Sequence, residues 1–130
     1  MPDAMVKKKR PLWYNLNLLN LPVPAVVSIL HRVSGALLFV LTFALLYVLD
    51  ASLASPERHD AARQILAHPL TKLVTLALLW AFLHHLIAGV RYLLLDVGVG
   101  LQLQQARASS FAVLGASLAL TLVLGGILLW

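Results

Sequence analysis

Three long stretches of the chain carry no formally charged residue. Residues 33–49, 73–90 and 108–130 contain no Asp, Glu, Lys or Arg and span 17, 18 and 23 residues. A helix needs about 20 mainly apolar residues to cross the hydrocarbon core of a bilayer. With the polar ends of each stretch included, the pattern predicts an all-α membrane protein with three transmembrane helices, at about 24–50, 69–96 and 109–130.

The uncharged segment just before the first helix is interrupted by asparagines and prolines. Pro22 and Pro24 cannot both lie inside a helix, because each disfavours the helical conformation of the residue before it. We therefore expect residues 1–23 to form a cytoplasmic and interfacial arm. Trp13 and Tyr14 would anchor this arm at the membrane surface, and Pro24 would lie near the first helical position. The whole chain, residues 1–130, is expected to be a single membrane-anchor domain.

The connections between the helices are predicted from their polar residues. His59 and His68 fall in the polar segment between the first two helices, where solvated loop residues are expected. Ser109 or Ser110 precedes the last apolar stretch, and either serine side chain is suited to cap a helix there.

The composition agrees with a membrane protein and excludes several other classes. The chain is 61% hydrophobic and 12% charged, with a mean hydropathy of +0.89, whereas soluble domains average about 25% charged residues. The chain is also too apolar for intrinsic disorder. It has no cysteine, which excludes disulfides and thiolate metal sites.

The charged residues, whose net charge is +5, are distributed unevenly along the chain. This distribution predicts which ends of the helices face the cytoplasm. No basic stripe with interleaved aromatic residues is present, so the charge does not indicate nucleic-acid binding. Cytoplasmic flanks of membrane helices carry an excess of Lys and Arg, which also attracts anionic lipid. The N-terminus is therefore predicted to be cytoplasmic and the C-terminus to lie on the opposite side. One side collects Lys7, Lys8, Lys9, Arg10, Arg32, Arg91 and Arg107, and the other Arg58, Arg63 and Lys72.

The first cluster of polar residues lies near the start of the first predicted helix. Ser28, His31, Arg32 and Gly35 have the spacing i, i+3, i+4 and i+7, which places them on one helix face. Arg32 alone is explained by a side chain that snorkels to the cytoplasmic interface. The complete face, rich in hydrogen-bond donors, suits a ligand with carbonyl oxygens and an apolar tail, such as a quinone. Arg32 would stabilise negative charge on the quinone oxygen.

The second cluster lies on the second predicted helix and contains two adjacent histidines. His85 is near the middle of the membrane, where its neutral imidazole is suited to ligate haem iron. Gly89 would leave room for the macrocycle, and Arg91 could pair with haem carboxylates. The alternative is an interhelical hydrogen bond. One helix face carries His85, Ala88, Gly89, Tyr92 and Asp96, and a second face carries His84 and Arg91.

With these residues placed, the chain resembles the cytochrome b subunit of succinate dehydrogenase, a membrane anchor of respiratory complex II. The resemblance covers about half the chain, and its motifs form a specific combination. It rests on Arg10-Pro11 with Leu21-Pro22, on the block from Ser28 to Gly35, and on His85 with Gly89-Val90-Arg91 and Asp96.

The resemblance implies roles for individual residues. His85 matches the axial haem ligand, and His31 a histidine near the haem propionates. Ser28 and Arg32 match the serine and arginine that bind the quinone, and Arg32 also lies near the propionates. His84 has no counterpart, and Tyr92 stands where relatives often carry histidine.

The resemblance also implies cofactors, partners and a location. One haem b would be enclosed with a second small anchor subunit, and iron–sulfur and flavoprotein subunits would dock on the cytoplasmic side of a bacterial-type inner membrane. The chain would contribute to a succinate:quinone oxidoreductase without holding a complete active site itself, and no catalytic residue is assigned to it. The alternatives are the anchor of a quinol:fumarate reductase, a cofactor-free membrane scaffold or assembly protein, and a homodimer with one haem ligand per chain.

Overall fold

The computed structural model describes residues 20–130, which contain four helices and no strand. The helices are α1 (Val23–Ala54), α2 (Pro56–Ala67), α3 (Pro69–Asp96) and α4 (Leu103–Leu129). Helices α1, α3 and α4 are long and apolar enough to cross a membrane, which confirms the three predicted spans. Most of the predicted arm, including Trp13 and Tyr14, lies outside the described residues.

Helix α1 begins where the prolines predict and ends four residues later than expected. Pro22 is extended and precedes the first helical residue, and Pro24 lies in the first turn, where a missing N–H is tolerated. Ser55 ends α1 with an extended backbone, φ −161° and ψ 159°, and then becomes the N-cap of α2.

The polar segment predicted as a loop is mostly helix α2, so the loop assignment of His59 was wrong. The Ser55 hydroxyl accepts a hydrogen bond from the backbone N–H of Arg58 at 3.3 Å, and Pro56 opens the helix. The Ser55 hydroxyl and the backbone N–H of Glu57 lower the pKa of the Glu57 carboxyl. His68 caps α3 as well, since its Nδ1 accepts from the Leu70 N–H at 3.3 Å. These capping signals outweigh polarity in deciding the conformation.

Helix α4 begins at Leu103, six residues before the predicted start, so neither Ser109 nor Ser110 caps it. Gly98 and Gly100, with φ of +85° and +82°, form the turn after α3, and the next residues are good helix formers. Ser110 lies inside the helix, where its hydroxyl donates to the Ala106 carbonyl at 2.7 Å, a common arrangement for an interior serine.

Helix α3 packs against both α1 and α4 and positions the site. The three helices share a small apolar core that contains Val27, Ala88 and Val113. Beyond Ser34, α1 has no buried residue, and its side chains such as Phe39 and Phe43 are exposed. The first third of α1 therefore packs within the described chain, whereas the remainder presents an apolar surface.

Candidate functional site: a histidine pair between α1 and α3

Two histidines predicted from separate motifs are stacked against each other. The ring centroids of His31 on α1 and His85 on α3 are 4.1 Å apart, and the ring planes differ by 4°. The Tyr92 ring meets His31 edge-on, with centroids 5.1 Å apart. The structure therefore brings His31, His85 and Tyr92 together, although their spacing within each helix does not show that they meet.

A glycine lies beside each histidine between α1 and α3, and the one at position 35 is required for the close approach. A Cβ atom on Gly35 would lie 2.9 Å from Cε1 of His85, closer than a real contact permits, so the His85 ring occupies the space beside Gly35. A Cβ atom on Gly89 would lie 3.7 Å from Nε2 of His31, an ordinary van der Waals distance. Each histidine thus lies against the glycine of the opposite helix. The space at Gly89 that was expected to admit a macrocycle is next to the His31 ring.

The Nδ1 atom of His85 is anchored to α1 by two oxygen atoms. It lies 3.0 Å from the backbone carbonyl oxygen of His31 and 3.1 Å from the Oγ of Ser34. Because a carbonyl oxygen only accepts hydrogen bonds, the first contact places the proton of a neutral His85 on Nδ1. The lone pair is then on Nε2, for which no hydrogen-bond partner is found within residues 20–130.

His84, the adjacent histidine, has a different environment. Its side chain is completely buried, 0% exposed, and neither ring nitrogen has a hydrogen-bond partner within the described part of the chain. Its ring lies against that of Trp80, one turn earlier, with centroids 5.2 Å apart. The structure therefore separates His84 from the His31–His85 stack.

Arg91 binds α4 within the chain. Its side chain is 6% exposed, Nε donates to the Ser109 hydroxyl at 2.9 Å, and Nη2 donates to the Ala106 carbonyl at 3.3 Å. This interaction joins α3 to α4, a packing role that the sequence did not predict. The geometry gives no support to the expected pairing of Arg91 with haem carboxylates.

Ser28 and Arg32 lie on a part of α1 that the described chain leaves open. Arg32 is exposed, Ser28 is partly exposed, and neither side chain has a hydrogen bond within residues 20–130. Ser34, in contrast, donates to a carbonyl of its own helix. Asp96, the last residue of α3, is exposed and forms no hydrogen bond to either stacked histidine.

Ser34 is the site residue that sequence reasoning missed. It was part of the motif in α1 but received no role, because it lies six residues after Ser28 and so falls outside the i, i+3, i+4 and i+7 pattern that defined the predicted polar face. In the structure it is 3% exposed and contacts a side chain 51 positions away. A signal was available, since Ser34 lies seven residues after the core position Val27 and therefore on the same face.

Nε2 of His85 carries a lone pair without a hydrogen-bond partner within residues 20–130, so this atom could ligate a metal. Among residues 20–130 no group of three or more His, Cys, Asp or Glu side chains is arranged to hold a metal ion. Histidines that bind metals almost always donate their second ring N–H to a carbonyl, carboxylate or water, which fixes the tautomer. The contact from Nδ1 of His85 to the His31 carbonyl fits this requirement, so the site is compatible with axial ligation of a haem.

Comparison with known proteins gives a consistent result over most of the chain. Residues 6–124 match the family model described as succinate dehydrogenase/fumarate reductase transmembrane subunit. The chain is 35% identical over 123 residues to a succinate dehydrogenase cytochrome b556 subunit of Coxiella burnetii, covering 94% of this chain and 98% of that protein. It is 32% identical over 114 residues to the subunit of the same name from Paracoccus denitrificans, covering 88% of each.

Proposed function

The chain belongs to the succinate dehydrogenase/fumarate reductase transmembrane subunit family, and we propose that it is the cytochrome b anchor of a succinate:quinone oxidoreductase. In this proposal His85 provides one axial ligand to a haem b, and Ser28 and Arg32 bind the head group of a quinone. Electrons from succinate oxidation reach the quinone through an iron–sulfur partner. The observation that carries the proposal is the anchored Nδ1 of His85, which leaves the lone pair on Nε2, an atom without a hydrogen-bond partner within residues 20–130.

The residues around His85 prepare it for ligation. The His31 carbonyl and the Ser34 hydroxyl fix the rotation of the imidazole and the position of its proton. The His31 ring covers one face of the imidazole, so that the in-plane direction of Nε2 is defined before any ligand binds. A bound haem iron would supply reversible one-electron transfer. A haem held by His85 would take its second ligand from another chain, because the His84 ring is completely buried on a different face of α3.

The proposed quinone site lies on the open face of α1. Arg32 is nine residues after the start of α1, about 14 Å along the helix at 1.5 Å per residue, and the side chains of Arg32 and Ser28 form no hydrogen bond within residues 20–130. A guanidinium near a quinone carbonyl favours the build-up of negative charge on that oxygen as electrons arrive. The complete reaction transfers two electrons from succinate and adds two protons to the quinone, which gives fumarate and quinol.

The same end of the bundle faces the proposed electron donor. Arg91 contacts the first turns of α4, and Tyr92 contacts His31 on α1. Arg32, Arg91 and Arg107 therefore lie towards the same end of the bundle. Because the cytoplasmic flanks of membrane helices carry an excess of Lys and Arg, the proposal assigns this end to the cytoplasmic side of a bacterial-type inner membrane. The proposal places the iron–sulfur and flavoprotein subunits there and a second anchor subunit along the exposed side of α1.

The haem assignment is tested on the complex purified through this chain. We expect a reduced-minus-oxidised absorption spectrum of a b-type haem and co-purification of three further subunits, which mass measurement identifies. A colourless preparation that contains only this chain would contradict the proposal and favour a scaffold or assembly protein. A coloured dimer of this chain alone would favour the homodimer.

The quinone assignment is tested with Arg32→Leu and Ser28→Ala. Both variants should lose most quinone reduction, because the head group loses a hydrogen-bond donor, while succinate oxidation with an artificial acceptor is retained. Arg107→Leu, which removes an exposed arginine from the first turns of α4 at the same end, is the matched control and should keep both activities. Unchanged quinone reduction in the Arg32 and Ser28 variants would refute the assignment.

A further inference from the structure

Ser34 differs from the hydroxyl residues further along α1. Thr42 and Ser52 each donate only to a carbonyl of their own helix, Leu38 and Leu49 respectively, at 2.8 Å. Ser34 makes the corresponding bond to the His31 carbonyl at 2.9 Å, and its Oγ also lies 3.1 Å from Nδ1 of His85 on α3. It is thus a buried hydroxyl with a second contact to the side chain of another helix.

The directions of these hydrogen bonds follow from the available protons. The Ser34 hydroxyl proton is donated to the His31 carbonyl, so the Oγ lone pairs remain to accept from His85. The Nδ1–H of His85 then has two acceptors, the carbonyl oxygen and Oγ. Since Ser34 is 3% exposed, water does not replace Oγ when the hydroxyl is removed.

We propose that Ser34 is a positioning residue that sets the strength of the bond from His85 to the haem iron. The inference depends on the proposed function, because it concerns the same ligand. An acceptor at Nδ1–H raises the electron density and basicity of the imidazole, and hydrogen bonding around an axial ligand is one of the means by which a protein adjusts haem potential. A more basic ligand stabilises the oxidised iron, so Ser34 keeps the midpoint potential of this haem low.

The test is an equilibrium redox titration of the haem in the purified complex, with haem content measured by its absorbance. Ser34→Ala removes one of the two acceptors without adding volume. We expect its midpoint potential to shift to more positive values and its haem to be lost about tenfold more readily, as for other outer-sphere changes at metal sites. Ser34→Thr retains the hydroxyl, and its potential should return towards that of the wild type.

Ser117→Ala is the matched control. Ser117 is also buried, 0% exposed, and its hydroxyl donates to the carbonyl three residues earlier, Leu114, at 3.0 Å, but it does not contact His85. Its variant should titrate like the wild type. Equal potentials and haem retention in Ser34→Ala and the wild type would overturn the inference, as would an equal shift in Ser117→Ala.

Two further outcomes separate this inference from the function on which it depends. Loss of haem in Ser34→Ala that Ser34→Thr restores would support the inference, because the hydroxyl would then be the required group. A wild-type complex without b-type absorbance would overturn the proposed function and the role of Ser34 with it.

Discussion

Two adjacent histidines of α3 lie on different faces of the helix, and their imidazole rings have different environments. On the ligand face, formed by His85, Gly89 and Tyr92, the His85 imidazole uses one nitrogen to contact α1 and retains the other. On the packing face, formed by His84 and Arg91, the arginine is bonded to α4 and the His84 imidazole is completely enclosed. One residue along a helix corresponds to a rotation of about 100°, and this rotation separates the two environments.

The comparison shows that the burial of a histidine and the orientation of its ring are separate properties. His84 is the more deeply buried histidine, but within residues 20–130 its ring nitrogens form no hydrogen bond that would orient the ring. His85 is less buried and is oriented by two oxygen atoms of α1. The anchored nitrogen therefore distinguishes a residue prepared for ligation from one that is merely inside the bundle.

The largest expected effect comes from a methyl group placed on α1, opposite the ligand face of α3. Gly35→Ala would put a Cβ atom 2.9 Å from Cε1 of His85, and overpacking of this kind costs about 1–3 kcal/mol. The His85 ring must move from its two oxygen anchors, so the purified complex should lose most of its b-type absorbance.

Gly89→Ala is the control for this substitution, because its Cβ atom would meet His31 at an ordinary 3.7 Å. Alanine also favours a helix interior over glycine by roughly 0.5–1 kcal/mol. Its haem content should match that of the wild type. Similar haem contents in the two glycine variants would show that the close contact at Gly35 does not hold His85 in place.

The next largest effect is expected for a substitution on the packing face, which should lower the stability of the complex without changing haem binding. Ser109→Ala removes the acceptor of Arg91 Nε, and a buried charged donor left without a partner costs about 1–3 kcal/mol. We expect a lower thermal midpoint for the solubilised complex with an unchanged haem spectrum. Ser110→Ala, which loses only a bond within its own helix, should be affected less. A spectral change in Ser109→Ala would mean that the two faces are coupled.

The smallest effect is expected for His84→Leu. This change removes two buried nitrogens without partners in the described chain, and replacing such groups by an apolar side chain is nearly neutral or stabilising. The haem content should remain that of the wild type, and the thermal midpoint should be equal or higher. Loss of haem in His84→Leu, confirmed at equal protein content, would contradict the separation of the two faces.

The three membrane helices could be predicted from the sequence because long charge-free stretches have few alternatives in a chain of this composition. The residues at which the helices begin and end were harder to predict. The start of α4 was misplaced because serine is both a capping residue and a tolerated interior residue, and only the turn at Gly98 and Gly100 decides between the two. Helix α2 was missed because its polarity was given more weight than the capping sequence at Ser55 and Pro56.

The candidate site could be predicted one helix at a time but not across helices. Periodicity correctly assigned His85 and Gly89 to one face of α3 and Arg91 to another. It does not determine which face of α1 meets which face of α3. The contact of Ser34 with His85 and the approach of His31 to Gly89 depend on that pairing, and so does the choice of α4 as the partner of Arg91.

The most direct test of the account replaces His85 itself. The reduced-minus-oxidised spectrum of the complex should lose its b-type haem signal in His85→Gly and recover part of it when free imidazole is added, because the substitution leaves an imidazole-sized space beside Gly35. A His85→Gly complex that keeps the wild-type haem content and spectrum without added imidazole would show that His85 is not the ligand.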